Sequence, residues 1–185
     1  DNKDGGAPVI SMVIVDRSGS MAGDRIKQAQ GAMRTMANSI NPSSYVGMMS
    51  YSDDIRLELP IGKFDDAQHS RFIYRVNNLQ TGGSTHTNSA IIAALYVMMQ
   101  YKDVPNARYR IILFTDGKQE TDTMHVNRAA EVLKGLGVTL YGVNFQGGVL
   151  EELKTLVETN EAGYTTEADG NNVANEMKKL ARLQL

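Results

Sequence analysis

The chain has 185 residues, 42% hydrophobic and 22% charged, which are the proportions of one globular domain and exclude a disordered tail, a collagen-like fibre and a coiled coil. The formal net charge is −2 and Lys and Arg are scattered, which argues against a nucleic-acid binder. There is no cysteine, so disulfides, zinc–thiolate centres and Cys nucleophiles are excluded, and no apolar run approaches the ~20 residues that span a bilayer.

Val9 to Val15 is a short, β-branched apolar run that stops at Asp16, which predicts a buried strand. Ile26, Ala29, Met33, Met36, Ala37 and Ile40 recur at three- and four-residue steps, one face of a helix closed by Asn41-Pro42. Tyr45 to Tyr51 and Ile55 to Leu59 read as strands joined by a hairpin turn at Ser52-Asp53-Asp54. Asp65 to Leu79 carries Phe72, Val76 and Leu79 on one face, and Ser89 to Tyr101 carries Ile91, Ala94, Leu95 and Met98; both predict helices. Arg110 to Thr115 is a second buried strand halting at an acid, Asp116. A helix stripe of Val126, Ala129, Ala130 and Leu133 follows, with Gly135 and Gly137 as its stop signals. Val138 to Val143 predicts a strand, Leu150 to Thr159 a helix, Gly163 to Thr166 a short strand, and Val173, Met177, Leu180 and Ala181 a last helix.

Alternation of this kind predicts an α/β fold: a doubly wound, mostly parallel sheet with helices on both faces and one short antiparallel edge strand. No linker divides the chain, so a single domain over 1–185 with a core of about 9–181 is expected. The opening stretch, Asp1 to Ala7, has neither an initiator Met nor a signal peptide, the expectation for a piece excised from a longer protein.

Ligands of open α/β sheets bind beyond the carboxyl ends of the strands. Three loops are expected there: Asp16-Arg17-Ser18-Gly19-Ser20, Gly82-Gly83-Ser84-Thr85-His86-Thr87 and Thr115-Asp116-Gly117. They offer carboxylates and hydroxyls and no sulfur, a hard-oxygen set suited to Mg²⁺ or Mn²⁺. Alternate residues of an extended or turning loop point the same way, so Asp16, Ser18 and Ser20 can converge on one point. Each loop alone is also an ordinary turn or helix cap. In this order, each at a strand end, they are far more specific.

Together the three loops resemble those of a von Willebrand factor type A domain, in the strand–helix order of that family from about Val9 to Ala181. In that family they form the metal-ion-dependent adhesion site. The resemblance implies that Ser18, Ser20 and Thr85 ligate Mg²⁺ through hydroxyls, with Asp16 and Asp116 acting directly or through water. Thr87 is the second choice in the middle loop, and Mn²⁺ or Ca²⁺ are alternatives to Mg²⁺, Ca²⁺ being disfavoured by the few carboxylates. It implies further that the ion's open position takes an Asp or Glu side chain from a protein partner, in adhesion or complex assembly and without catalysis, with no nucleic acid involved and no membrane insertion by this segment.

An enzyme is the competing reading, with Asp16 as a phosphoryl-accepting nucleophile, but Ser18 stands where such hydrolases want a second acid. A serine hydrolase is disfavoured because Ser18 lacks the leading Gly of G-x-S-x-G. Thr81 to Thr85 has no following Lys for a phosphate-binding loop. His69, His86 and His125 lack metal spacing and read as surface or helix-face residues. Arg17 is expected either to meet an acidic partner or to be solvated. Lys118, Gln119, Glu120 and Asp122 would line the rim, with Asp122 a candidate helix cap.

Overall fold

A computed structural model of the chain describes residues 8–84, 87–115, 123–145 and 164–168. Thr85, His86, Asp116 to Asp122, and the helices expected at Leu150 to Thr159 and from Val173 onward lie outside them. Among the described residues six strands form one sheet: β1 (Val9–Asp16), β2 (Tyr45–Tyr51), β3 (Ile55–Lys63), β4 (Arg108–Thr115), β5 (Val138–Phe145) and β6 (Tyr164–Ala168). Between them run α1 (Asp24–Ala37), α2 (Asp66–Asn77), α3 (Thr87–Met98) and α4 (Thr123–Leu136). The spatial order is β3-β2-β1-β4-β5-β6, parallel throughout except for β2 against β3. This is the expected α/β architecture.

The apolar run of β1 is continuous because both faces of the strand are covered. Val13 and Val15 enter one core with Met33 and Met36 of α1 and Phe72 of α2. Ile10, Met12 and Ile14 enter the other with Ile91 and Leu95 of α3 and Leu133 of α4. Seven of the eight methionines whose side chains are described are buried in these two cores, as expected of gap-filling side chains. The chain leaves β1 to build β2 on one side and returns to build β4 on the other. The reversal makes the carboxyl ends of β1 and β4, where Asp16 and Thr115 stand, the topological switch point at which open α/β sheets bind ligands.

Most elements shift from expectation by a few residues at their ends, and three of these shifts have a clear physical cause. Helix α1 stops at Ala37, three residues before Ile40, which is buried from the following turn; Pro42 disfavours helical geometry just upstream and the chain turns early. The stop of α4 is Gly137, at φ +67°, while Gly135 sits inside the last helical turn.

The third difference is β3, which runs past Leu59 to Lys63. Pro60 is accommodated because it lies on the edge strand, where the β2–β3 register shifts between Val46 and Met49. Gln68 of α2, 5% exposed, closes that irregularity: its Nε2 donates to the carbonyls of Val46 and Pro60, each at 2.9 Å. Gly47 is required there, since a Cβ would fall 2.8 Å from the Leu59 carbonyl and the Ile61 side chain.

Candidate functional site

Asp16 ends β1 fully buried, and both of its carboxylate oxygens are engaged. Oδ1 accepts the Ser18 backbone N–H at 2.9 Å, which folds the loop back on itself. Oδ2 accepts the Thr115 hydroxyl at 2.9 Å. The second bond follows from register, because Val15 pairs with Phe114 and the next residues on the two parallel strands are Asp16 and Thr115. Thr115 is thus a site residue that the sequence reading quoted without giving it a role.

Beyond Asp16, Gly19–Met21 form a short 3-10 turn, which the apolar periodicity did not reveal. Its last residue, Met21, is fully buried in the core beneath α1 and anchors the turn from below. Ser18 is buried and Ser20 exposed, and their hydroxyl oxygens lie 3.1 Å apart. An octahedral oxygen shell with metal–oxygen distances of 2.0–2.1 Å has an edge of about 3 Å, so this pair has the spacing of two adjacent Mg²⁺ donors. The structure therefore brings Asp16, Ser18 and Ser20 together, while Thr85 and Asp116 lie outside the described residues. Thr87 opens α3.

The second loop reaches the first through its backbone. Gly19 N–H donates to the Gly83 carbonyl at 2.9 Å, and Gly82 N–H to the Arg17 carbonyl at 2.9 Å. Gly83 adopts φ +83°, in the left-handed region that glycine enters freely.

Arg17 corrects the sequence reading. It is neither solvated nor offered to a partner but 5% exposed. Its Nε donates to Ser50 Oγ at 3.0 Å, Nη1 to Ser52 Oγ at 2.9 Å, and Nη2 pairs with the Asp54 carboxylate. Ser50 and Ser52 are two apart at the end of β2 and so face the same way, and that alternation was the available signal. Asp54 also accepts from Arg56 Nε at 2.9 Å. The Arg17 guanidinium first, and then Arg56, hold the Asp54 carboxyl below its ordinary pKa by hydrogen bonding to the charged form.

Among the described residues no group of three or more His, Cys, Asp or Glu is placed to hold a metal. The donor set expected here is led by hydroxyls and has only two carboxylates, one of them described. His69 lies on the face of α2 against α1, 3.0 Å from Asn38 Oδ1 and edge-on to Phe64, as a helix-face histidine. The side chain of His125 lies outside the description. Cavities of about 140 and 440 Å³ open at the other end of the sheet, near Tyr109 and Val138 and near Ile10 and Tyr45; among the described residues neither is lined by Asp, Glu or His. No helix among the described residues is long and apolar enough to cross a membrane.

Comparison with known proteins gives consistent matches. A family model of the von Willebrand factor type A domain matches residues 12–180. Matrilin-1 of Bos taurus is 24% identical over 187 residues, covering 98% of this chain and 34% of that protein. Inter-alpha-trypsin inhibitor heavy chain H2 of Homo sapiens is 25% identical over 131 residues, covering 66% of this chain and 14% of that protein. The chain thus spans about a third or less of these two relatives. Among solved structures, a von Willebrand factor type A protein from Catenulispora acidiphila superposes with a TM-score of 0.83 at 19% identity, over 95% of this chain and 42% of that one.

Proposed function

The chain belongs to the von Willebrand factor type A family, and we propose that it is a metal-dependent protein-interaction domain serving adhesion or complex assembly. Asp16, Ser18 and Ser20, with Thr85 and Asp116 from the neighbouring loops, would hold Mg²⁺, or Mn²⁺ or Ca²⁺ in its place. When bound, the ion supplies an electrophilic position for an Asp or Glu side chain of a protein partner. The observation that carries this reading is the convergence of Asp16, Ser18 and Ser20 at the sheet's switch point, with the two hydroxyl oxygens 3.1 Å apart.

The protein's own part is to prepare the donors. Thr115 and the Ser18 N–H fix the orientation of the Asp16 carboxylate, so little rearrangement is needed on loading. A cation beside Asp16 would also balance a charge that is costly to bury. Serine and threonine hydroxyls are neutral donors, and a shell rich in them leaves the positive charge for the partner's carboxylate. The hydrolase reading has less support. Ser18, and not a second acid, stands two residues after Asp16, and its backbone N–H donates to the Asp16 carboxylate.

Thermal unfolding in chelator, and then with Mg²⁺, Mn²⁺ or Ca²⁺, tests the reading. A ligand at a hundred times its Kd adds about 2.7 kcal/mol to apparent stability, a rise of roughly 5–10 °C for a domain of this size. The rise should vanish in Asp16→Ala. An equal rise in wild type and variant, or none at millimolar metal, would overturn it. Peptides bearing Asp should then perturb the relaxivity of bound Mn²⁺ where their Asn counterparts do not.

A further inference from the structure

We propose that the β2–β3 turn is a bracket for the metal loops, with Asp53 as the positioning residue that fixes the second loop against the first. The inference rests on the reading of these loops as a metal centre. Three residues make the turn, Ser52-Asp53-Asp54, and the Ser52 N–H closes it on the Asp54 carbonyl at 2.9 Å. Two adjacent carboxylates then diverge. Asp54 takes the guanidinium of Arg17, which lies between Asp16 and Ser18 in the first loop. Asp53 Oδ1 accepts the Ser84 backbone N–H at 3.0 Å and the Ser84 hydroxyl as well, and Ser84 belongs to the second loop. One rigid turn therefore grips both loops from outside while the Gly19–Gly83 and Gly82–Arg17 bonds join them inside.

The sequence of the second loop makes this grip matter. Gly82 and Gly83 are consecutive and both lie at positive φ, +153° and +83°. Two glycines in a row give the unfolded and unliganded loop more conformations than any other pair, so holding one of them needs an external tether. Asp53 supplies it at close quarters: a Cβ on Gly83 would collide with the Asp53 carboxylate, so this approach is open to glycine alone. When the binding-competent loop is only a fraction of the population, apparent affinity falls by that fraction. Removing the tether should therefore weaken metal binding without touching the donors expected to ligate the ion.

Mn²⁺ binding followed by electron paramagnetic resonance on the whole chain, with the unfolding midpoint in chelator measured alongside, tests the bracket. Asp53→Ala should weaken Mn²⁺ on the order of 10- to 100-fold, the range seen for partners that orient metal ligands. Asp53→Asn keeps an oxygen able to accept both Ser84 hydrogens and should recover part of that loss. The double variant Asp53→Ala/Ser84→Ala should bind no more weakly than Asp53→Ala alone, because both remove the same contact. Wild-type affinity in Asp53→Ala overturns the inference and leaves the metal site standing. Independent, multiplying losses in the double variant overturn it too, since Asp53 would then act on the ion and not through Ser84. A lowered chelator midpoint at unchanged affinity marks a merely structural residue and also overturns it. Absence of Mn²⁺ binding in wild type removes the metal centre and the bracket with it. Should Asp53→Ala fail to fold, Asp53→Asn and Ser84→Ala carry the same comparison.

Discussion

Replacing Arg17 by Met separates a buried clamp from a solvated arginine. Methionine keeps most of the unbranched stem, so the packing of the chain against the β2 end is largely preserved and the loss falls on the guanidinium. Two bonds to hydroxyls go, at 3.0 Å to Ser50 and 2.9 Å to Ser52, and with them the pairing of Nη2 with Asp54, whose half-exposed carboxylate is screened by water and adds little. A hydrogen bond to a charged group nets about 1.5–3 kcal/mol, so the gross loss is about 3–6 kcal/mol. Two effects reduce it. Ser50 still donates to Glu58 Oε1 at 2.8 Å and is not orphaned, and a thioether no longer carries the desolvation cost of a buried cation. A net destabilisation of about 2–3 kcal/mol is expected, or a fall of roughly 5–10 °C in midpoint. Urea unfolding followed by circular dichroism in chelator measures it free of any metal contribution. Lys27→Met, on the exposed face of α1, is the control and should change stability by less than about 0.5 kcal/mol. A change in Arg17→Met no larger than in that control would refute the burial argument and restore the solvated reading.

Gln68→Leu leaves the Val46 and Pro60 carbonyls without their side-chain donor and should cost about 2–3 kcal/mol by urea titration; a cost near zero would mean that water replaces Nε2 at the bulge. Phe72→Ala, which empties a fully buried position beside Phe64, should cost about 3–5 kcal/mol in the same assay, and a smaller loss would show that α2 collapses onto the gap. Asp54 has its pKa lowered in the fold, so its contribution is present at neutral pH and is lost as the pH falls from the ordinary Asp range through the depressed value. The stability gap between wild type and Asp54→Asn should accordingly narrow on acidification below pH 4, and a gap independent of pH would contradict the pairing. Two glycines should respond in opposite directions: Gly135→Ala, inside α4 with open space around it, gains about 0.5–1 kcal/mol, while Gly83→Ala loses stability against Asp53. Equal responses would remove the steric argument for Gly83.

Several features were settled by sequence alone, because they depend on neighbours along the chain. Continuous apolar runs ending at Asp16 and Thr115 mark strands covered on both faces, and the three- and four-residue stripes mark the helices between them. From those two periods follow the parallel sheet and the address of the loops at its carboxyl ends, while the switch point waits for the strand order. The first loop put Asp16, Ser18 and Ser20 within five residues of one another, but Ser18 and Ser20 stand side by side around the 3-10 turn at Gly19–Met21, which the periodicity does not show. What it could not contain is any contact whose partner is chosen by strand order. Asp16 meets Thr115 across 99 residues only because β4 is laid beside β1. Arg17 is drawn inward because the end of β2 presents Ser50 and Ser52 to it, and without them an arginine in that loop would stay in water. Asp53 finds Ser84, and Gln68 finds the Val46 and Pro60 carbonyls, for the same reason. Local patterns record which face of an element is apolar. Which polar groups are stranded on that face, and what satisfies them, is fixed only when the sheet is assembled and each buried donor and acceptor has to find a partner.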